Sequence, residues 1–133
     1  MKYLPIVAGI LLGIMFAGAG IVVLLNLAPA EAMPEGSPAA HFMAAFVPTG
    51  YLTFVKVLEV VGGVLVAVPR TRNIGLLVLG PILLNIVAFH VFVTRGEGLL
   101  NPSILIMALL SLFLLWVERP AFAGLVTRAS RGA

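Results

Sequence analysis

Residues 50–68 read GYLTFVKVLEVVGGVLVAV, an apolar stretch that contains one lysine and one glutamate three positions apart. Its length approaches the roughly 20 residues that a helix needs to cross a bilayer. A charged side chain at membrane depth costs about 3 kcal/mol or more unless it is paired or hydrated. We therefore expect Lys56 and Glu59 to form an ion pair in a membrane-spanning helix and to mark its functional interior.

The composition of the whole chain indicates the same class of protein. Of 133 residues, 62% are hydrophobic and 10% are charged. A soluble domain of this size would lack the polar residues needed to cover its surface. The sequence has no cysteine, which excludes a disulfide framework, thiol redox chemistry and cysteine-held iron–sulfur clusters. We therefore expect an integral membrane protein in which any redox cofactor is borrowed.

Three further apolar stretches accompany residues 50–68, and they cover about 3–28, 74–93 and 102–117. Together the four stretches predict an all-α, integral membrane four-helix bundle that forms one domain over residues 1–133. We expect residues 118–133 to be a short, basic and only partly ordered tail. In the long loop after the first stretch, residues 39–47 suit a short helix on the membrane surface.

The distribution of charge predicts the orientation of the four spans. Positive residues concentrate on the side that carries both termini, whereas Arg95 and three glutamates lie on the other side. Because cytoplasmic loops are enriched in Lys and Arg, both termini are expected in the cytoplasm. This distribution of positive charge indicates the orientation of the spans in the membrane. It does not indicate a nucleic-acid partner. The residues on the terminal side are Lys2, Arg70, Arg72, Arg119, Arg128 and Arg131.

A cleaved signal peptide is the alternative interpretation of the first stretch. Ala28-Pro29-Ala30 resembles a small-residue cleavage site after a lysine-led apolar segment. Signal-peptide cores contain about 7–15 apolar residues, which is much shorter than this stretch. We therefore expect the first stretch to be retained as a span.

Asn85 is expected to lie near the charged pair. With a rise of about 1.5 Å per residue, Glu59, Asn85 and Lys56 lie roughly 13, 16 and 18 Å from the cytoplasmic ends of their helices. The three groups would meet if the second and third spans are neighbours. Two interpretations stay open: a structural polar knot that fixes helix register, and a site for a polar head group or a proton-coupled step.

His90 lies near the outer end of the third span, at a depth similar to that of Tyr51 and Thr53. These three residues are expected at the mouth of one cavity, although a lone interfacial histidine also suits a purely structural hydrogen bond. His41 is the only other histidine, and no metal ligand lies one helical turn from His90. The sequence therefore predicts no metal site and no haem ligation.

Small residues recur along the first span at Gly9, Gly13 and Ala17. Such a strip lets another helix approach closely, which matters where lipid offers no hydrophobic gain for association. Packing inside the monomer is the expected use of this strip, and dimerisation is the alternative.

Two motifs give the chain a resemblance to a known family. The second span contains Lys56-Val57-Leu58-Glu59-Val60-Val61-Gly62-Gly63, and the third contains Asn85-Ile86-Val87-Ala88-Phe89-His90. With Phe16-Ala17-Gly18 in the first span, these motifs resemble the DoxX-like family of small four-helix bacterial membrane proteins. The resemblance covers nearly the whole chain and implies a multi-pass protein of the bacterial inner membrane.

The resemblance also implies a function. The family takes its name from a subunit of an archaeal thiosulfate:quinone oxidoreductase, and it implies a non-catalytic membrane subunit of a quinone-linked redox system. It implies quinone as a borrowed ligand and a redox protein as a partner, in addition to membrane lipid. The sequence argues against independent catalysis, because it has no nucleotide-binding glycine loop and no haem-ligand pair. A structural or assembly protein, and a carrier of small solutes or lipids, remain the alternatives.

Overall fold

The computed structural model describes residues 2–30 and 32–131, and none of these residues forms a β-strand. The helical prediction is therefore confirmed. The helices are α1 (Leu4–Leu24), α2 (Pro38–Phe46), α3 (Tyr51–Ala67), α4 (Arg72–Ala88), α5 (Pro102–Val117) and α6 (Arg119–Arg131), and a π-helical segment, Phe89–Val93, continues α4.

Two of the predicted stretches coincide closely with helices. The stretch 50–68 contains α3, and 102–117 is α5. The start of α5 follows from its sequence, because the Asn101 side chain accepts a hydrogen bond from the Ser103 N–H at 2.9 Å and Pro102 occupies the first turn. Both features are typical of a helix N-terminus. Likewise, α2 occupies most of the predicted short helix at 39–47, and the Ser37 side chain caps it.

The first span ends earlier than the sequence predicts. Helix α1 stops at Leu24 and not near residue 28, because Asn26 adopts a left-handed conformation with φ 51°. The Asn26 and Leu27 N–H groups donate to the carbonyls of Val23 and Val22, at 3.3 and 2.9 Å. This pair of bonds is a Schellman motif, which satisfies carbonyls at the end of a helix.

The C-terminal region also differs from the prediction. Residues 119–131 form α6, a helix that was not predicted from the sequence. The axis of this helix is bent by 64° from that of α5. The sequence Arg119-Pro120 explains the change of direction, since proline is favoured in the first turn of a helix and not in the middle of one.

Two helical segments, Leu4–Leu24 and Arg72–Val93, are each long and apolar enough to cross a membrane. Two bent pairs reach that length only together: Pro38–Phe46 with Tyr51–Ala67, and Pro102–Val117 with Arg119–Thr127. By length and composition, the described residues therefore supply two to four candidate spans. This supports the prediction of a membrane protein with transmembrane helices.

Four of the helices contact one another in a closed cycle. Helix α1 packs on α3 and α5, and α4 packs on the same two helices. The most deeply buried side chains come from all four and fill the space between them. They are Leu12, Phe16, Val66, Leu79 and Leu114.

Small residues set the close approach of α1, α3 and α4. A methyl group at Gly13 would overlap the Gly63 carbonyl oxygen, and one at Gly9 would lie 2.9 Å from the Val66 carbonyl oxygen. On the other side of α3, a methyl group at Gly75 would overlap the backbone of Val66. The strip on α1 is therefore used for packing inside the chain, as expected, and it runs antiparallel to α3.

Candidate functional site

The charged residues of α3 form the predicted ion pair. The Lys56 Nζ atom lies 2.8 Å from Glu59 Oε2, and the exposed fractions of the two side chains are 19% and 3%. A separation of three residues places both groups on one helix face. The pair therefore forms within α3 and does not require a partner on α4.

Glu59 has less hydrogen bonding than its burial demands. Its Oε2 atom is buried and has no aligned hydrogen bond among the described residues, although Lys56 Nζ lies close to it. The contact is thus an electrostatic one with poor hydrogen-bond geometry. Buried polar atoms are nearly always hydrogen-bonded, so Glu59 Oε2 retains the capacity to accept a hydrogen bond from a further donor.

Helix α1 covers the backbone of α3 at this level. A methyl group at Gly20 would lie 2.8 Å from the Lys56 carbonyl oxygen and 2.7 Å from the Val60 side chain. Glycine at this position lets the two helices approach closely beside the pair. Gly62 and Gly63 also lie close to neighbouring helices one turn further along α3, so the backbone of α3 is closely packed next to Glu59.

A cavity lies one helical turn from the pair, at the C-terminal end of α1 and the N-terminal end of α3. Its volume is about 240 Å³, and it is lined by Val23, Leu24, Asn26, Val47, Leu52 and Thr53. Leu52 and Thr53 precede Lys56 by four and three residues, which is one turn. Pockets for whole drug-sized ligands measure about 300–1,000 Å³, so this space suits a head group or a ring.

Asn85 does not join the charged pair. Helices α3 and α4 are neighbours, as the prediction required. However, Asn85 is exposed, and its Nδ2 donates to the Pro81 carbonyl of its own helix at 2.9 Å. The prediction that Asn85 meets Lys56 and Glu59 is therefore wrong. Asn85 lies at a depth along its helix similar to that of the charged pair. Its side chain, however, does not face the pair from α4.

His90 is held by local contacts in the π-helical segment that continues α4. Its Nδ1 lies 2.8 Å from the Ile86 carbonyl oxygen, which requires a proton on Nδ1. The edge of its ring faces the loop at Gly98, where an added methyl group would lie 3.4 Å from Nε2. These contacts agree with the structural interpretation of the histidine.

Tyr51 and His90 are connected through other aromatic rings and not through a common cavity. Phe46 contacts both Tyr51 and Phe42, at centroid distances of 4.6 and 4.0 Å. Phe42 lies 4.9 Å from Phe89, which precedes His90. Thr53 lines the separate cavity described above. The predicted three-residue mouth is therefore divided into two regions, and α2 lies between α3 and the π-helical segment.

A buried arginine was missed by the sequence analysis. The charge distribution placed Arg72 with the positive residues between the second and third spans, but it is 5% exposed. Its Nη1 donates to Glu118 Oε1 at 3.2 Å, and its Nε and Nη2 have no hydrogen-bond partner among the described residues. The turn directs it inward, since Thr71 Oγ1 donates to the Leu65 carbonyl at 2.7 Å. The feature of the sequence that indicates this burial is Gly9, because a residue without a side chain leaves room beside the Arg72 guanidinium.

Metal ligation finds no support in the described part of the chain. No group of three or more His, Asp or Glu side chains lies close enough together there to hold an ion. The groups available at the site are therefore one ammonium group, one carboxylate and the nearby cavity of mixed polar and apolar lining.

Comparison with known proteins gives one curated relative with limited coverage. Over 75 residues the chain is 32% identical to YwoB of Bacillus subtilis (strain 168), which is named as an uncharacterized protein. The match covers 56% of this chain and 47% of YwoB, so the chain spans about half the length of that curated relative. No family model matches the chain, and no solved structure matches it.

Proposed function

We propose that this chain is a DoxX-like four-helix membrane protein that serves as a non-catalytic subunit of a quinone-linked redox system. In this proposal α1, α3, α4 and α5 cross the bacterial inner membrane, and both termini are cytoplasmic. The observation that carries the proposal is the Lys56–Glu59 pair, because Glu59 Oε2 is buried without an aligned hydrogen bond.

The groups at this pair suit a quinone head group. A quinone has two carbonyl oxygens that accept hydrogen bonds, and its reduced form has hydroxyl groups that donate them. Lys56 Nζ is a donor, and Glu59 Oε2 is an acceptor. The cavity at Leu52 and Thr53, which is lined by both polar and apolar groups, lies one turn away. The chain's own part would be to hold and orient the ring, while a partner redox protein would supply the electron-transfer chemistry.

A structural or assembly role is the second candidate. It is favoured by the local hydrogen bonds of Asn85 and His90 and by the tight glycine packing around α3. In this role the ion pair fixes the register of α3, and the chain binds a protein partner without a small ligand. A carrier of small solutes or lipids has less support, because Asn85 does not extend the polar path from Glu59.

Native mass spectrometry of the protein released gently from its own membrane tests the proposal. We expect a stoichiometric quinone or a redox subunit on the wild-type chain and its loss in Glu59→Gln. Glu97→Gln is the matched control, since it makes the same chemical change at an exposed glutamate in the loop before α5. Thermal unfolding in detergent confirms that both variants fold.

The outcomes separate the two candidates. Loss of quinone in a folded Glu59→Gln variant supports the quinone-linked role. A protein partner without quinone, retained equally by both variants, supports the structural role. A chain that carries only bulk phospholipid contradicts the quinone proposal.

A further inference from the structure

Helix α6 has two unlike faces, and one residue of its apolar face, Phe122, contacts the other helices. At about 100° per residue, Phe122 and Leu125 share one face, and Gly124 and Thr127 lie on the opposite face. Phe122 packs against the buried core formed by the other helices. Leu125 and Val126 continue beyond it with exposed fractions of 61% and 82%. The apolar face therefore extends outward from the body of the protein without a partner among the described residues.

The basic residues of α6 lie where lipid head groups would meet an interfacial helix. Positions 119 and 128 fall on the two borders between the apolar and polar faces, and position 131 falls on the polar face. The sequence of α6 contains these three arginines and neither Asp nor Glu. A helix with this arrangement lies in the membrane interface and is attracted to anionic lipid.

The junction between α5 and α6 supports the same placement. Trp116 is 62% exposed near the end of α5, where tryptophan suits the boundary between hydrocarbon and water. The Arg119 guanidinium lies 4.3 Å from the centroid of its ring and donates to the Trp116 carbonyl at 2.6 Å. The bend of 64° then turns α6 away from the direction of α5. Together these features place a cation and an aromatic ring at the start of a laterally directed helix.

We infer that α6 is a lipid-binding surface helix that docks on the anionic leaflet of the membrane in which α5 is inserted. The apolar face of Phe122, Leu125 and Val126 enters the boundary of the acyl chains. The Arg119 guanidinium contacts acidic phospholipid head groups, and the sequence adds two further positive charges to the same helix at positions 128 and 131. This inference rests on α5 crossing the bilayer, as proposed above, and is independent of quinone binding.

Site-directed spin labelling of the full chain tests this inference. The sequence has no cysteine, so Leu125→Cys and Gly124→Cys each provide one labelling position. The second is a matched control, because an added side-chain atom at Gly124 meets nothing within 4 Å. Leu109→Cys reports separately on α5, where Leu109 is exposed in the middle of the helix. Nanodiscs of phosphatidylcholine alone, or mixed with phosphatidylglycerol, leave both membrane faces accessible.

In discs with phosphatidylglycerol, we expect the Leu125 label to collide with oxygen and to be protected from a neutral nickel complex in water. The Gly124 label is expected to be accessible to the nickel complex and to collide less often with oxygen. Replacing Arg128 by Gln is expected to shift the ratio of docked to undocked helix by roughly fivefold, the effect of one basic residue near an anionic surface. Phosphatidylcholine alone, or high salt, is expected to weaken docking in the same direction.

Several results would overturn the inference. Equal access of nickel to both labels means that α6 stands in water, and equal access of oxygen means that it continues the span. Protection of Leu125 from both reagents means that a protein surface, such as a second copy, covers it. Equal docking in the two lipid compositions means that anionic head groups do not attract α6. A water-accessible Leu109 label would refute the crossing of α5 and thus the proposed topology itself.

Discussion

Arg72 at the start of α4 and Glu118 at the end of α5 form an ion pair with an Nη1–Oε1 distance of 3.2 Å. The two side chains have exposed fractions of 6% and 24%. The pair joins α4 to the junction at which α6 departs. Because Arg72 Nε and Nη2 are buried without hydrogen bonds in the described residues, Glu118 provides most of the electrostatic compensation for this guanidinium.

We expect Glu118→Gln to destabilise the protein by roughly 2–3 kcal/mol. Removing one partner of a fully buried pair costs about 3–5 kcal/mol, because the remaining charge is uncompensated, and the partial exposure of Glu118 reduces this cost. Arg72→Met is expected to cost less, since it removes the buried charge itself. Thermal unfolding in detergent, followed by circular dichroism, measures both. A Glu118→Gln variant as stable as wild type would contradict the assignment of a compensating ion pair.

The packing of α1 on α3 gives a second prediction, based on two glycines of the same helix. A methyl group at Gly13 would overlap the Gly63 carbonyl, whereas one at Gly18 meets nothing within 4 Å. We expect Gly13→Ala to lose about 1–3 kcal/mol through overpacking. Gly18→Ala is expected to be neutral or to gain up to about 1 kcal/mol from helix propensity. Unfolding of the two variants in the same detergent tests the difference, and equal effects would disprove the close approach.

Substitutions at the charged pair are expected to separate stability from ligand binding. Glu59→Gln leaves Lys56 without a counter-charge and is expected to cost more than about 1 kcal/mol, whereas Lys56→Met with Glu59→Leu is expected to recover that loss. Asn85→Ala is expected to change stability by less than about 0.5 kcal/mol, since Asn85 is exposed. Unfolding and quinone retention are measured on the same preparations. A double variant that is stable and still retains quinone would refute a site at the pair.

The aromatic contacts of α2 give a fourth prediction. Phe42 stacks on Phe46 and contacts Phe89 of the π-helical segment. Such ring pairs contribute about 0.5–1.5 kcal/mol each beyond their buried area, so Phe42→Ala is expected to accelerate amide exchange throughout α2 by at least about fivefold. His41→Ala, at an exposed neighbour, is the control. Equal exchange in the two variants would show that these rings do not hold α2 in place.

At the candidate site, the prediction that concerned a single helix agreed with the structure, and those that depended on contacts between helices did not. Lys56 and Glu59 belong to one helix, so the periodicity of α3 was sufficient to place them on one face, and the structure shows that they pair there. Asn85 had to point toward α3 from another helix, and its distance along the helix axis carried no information about its direction around α4. Arg72 was missed for a related reason. A turn residue is ordinarily exposed, and its burial depends on Gly9 and Glu118, which are distant in the sequence.

The sequence by itself determined the helical class, the positions of the apolar helices and the placement of Lys56 and Glu59 on one helix face. These features depend on composition and on contacts within one helix, where spacing and geometry are directly related. Only the tertiary structure decided the cycle of packed helices, the burial of Arg72 against Glu118 and the bend that separates α6 from α5. These features depend on residues from several helices, and their energies are set by how closely those helices can approach.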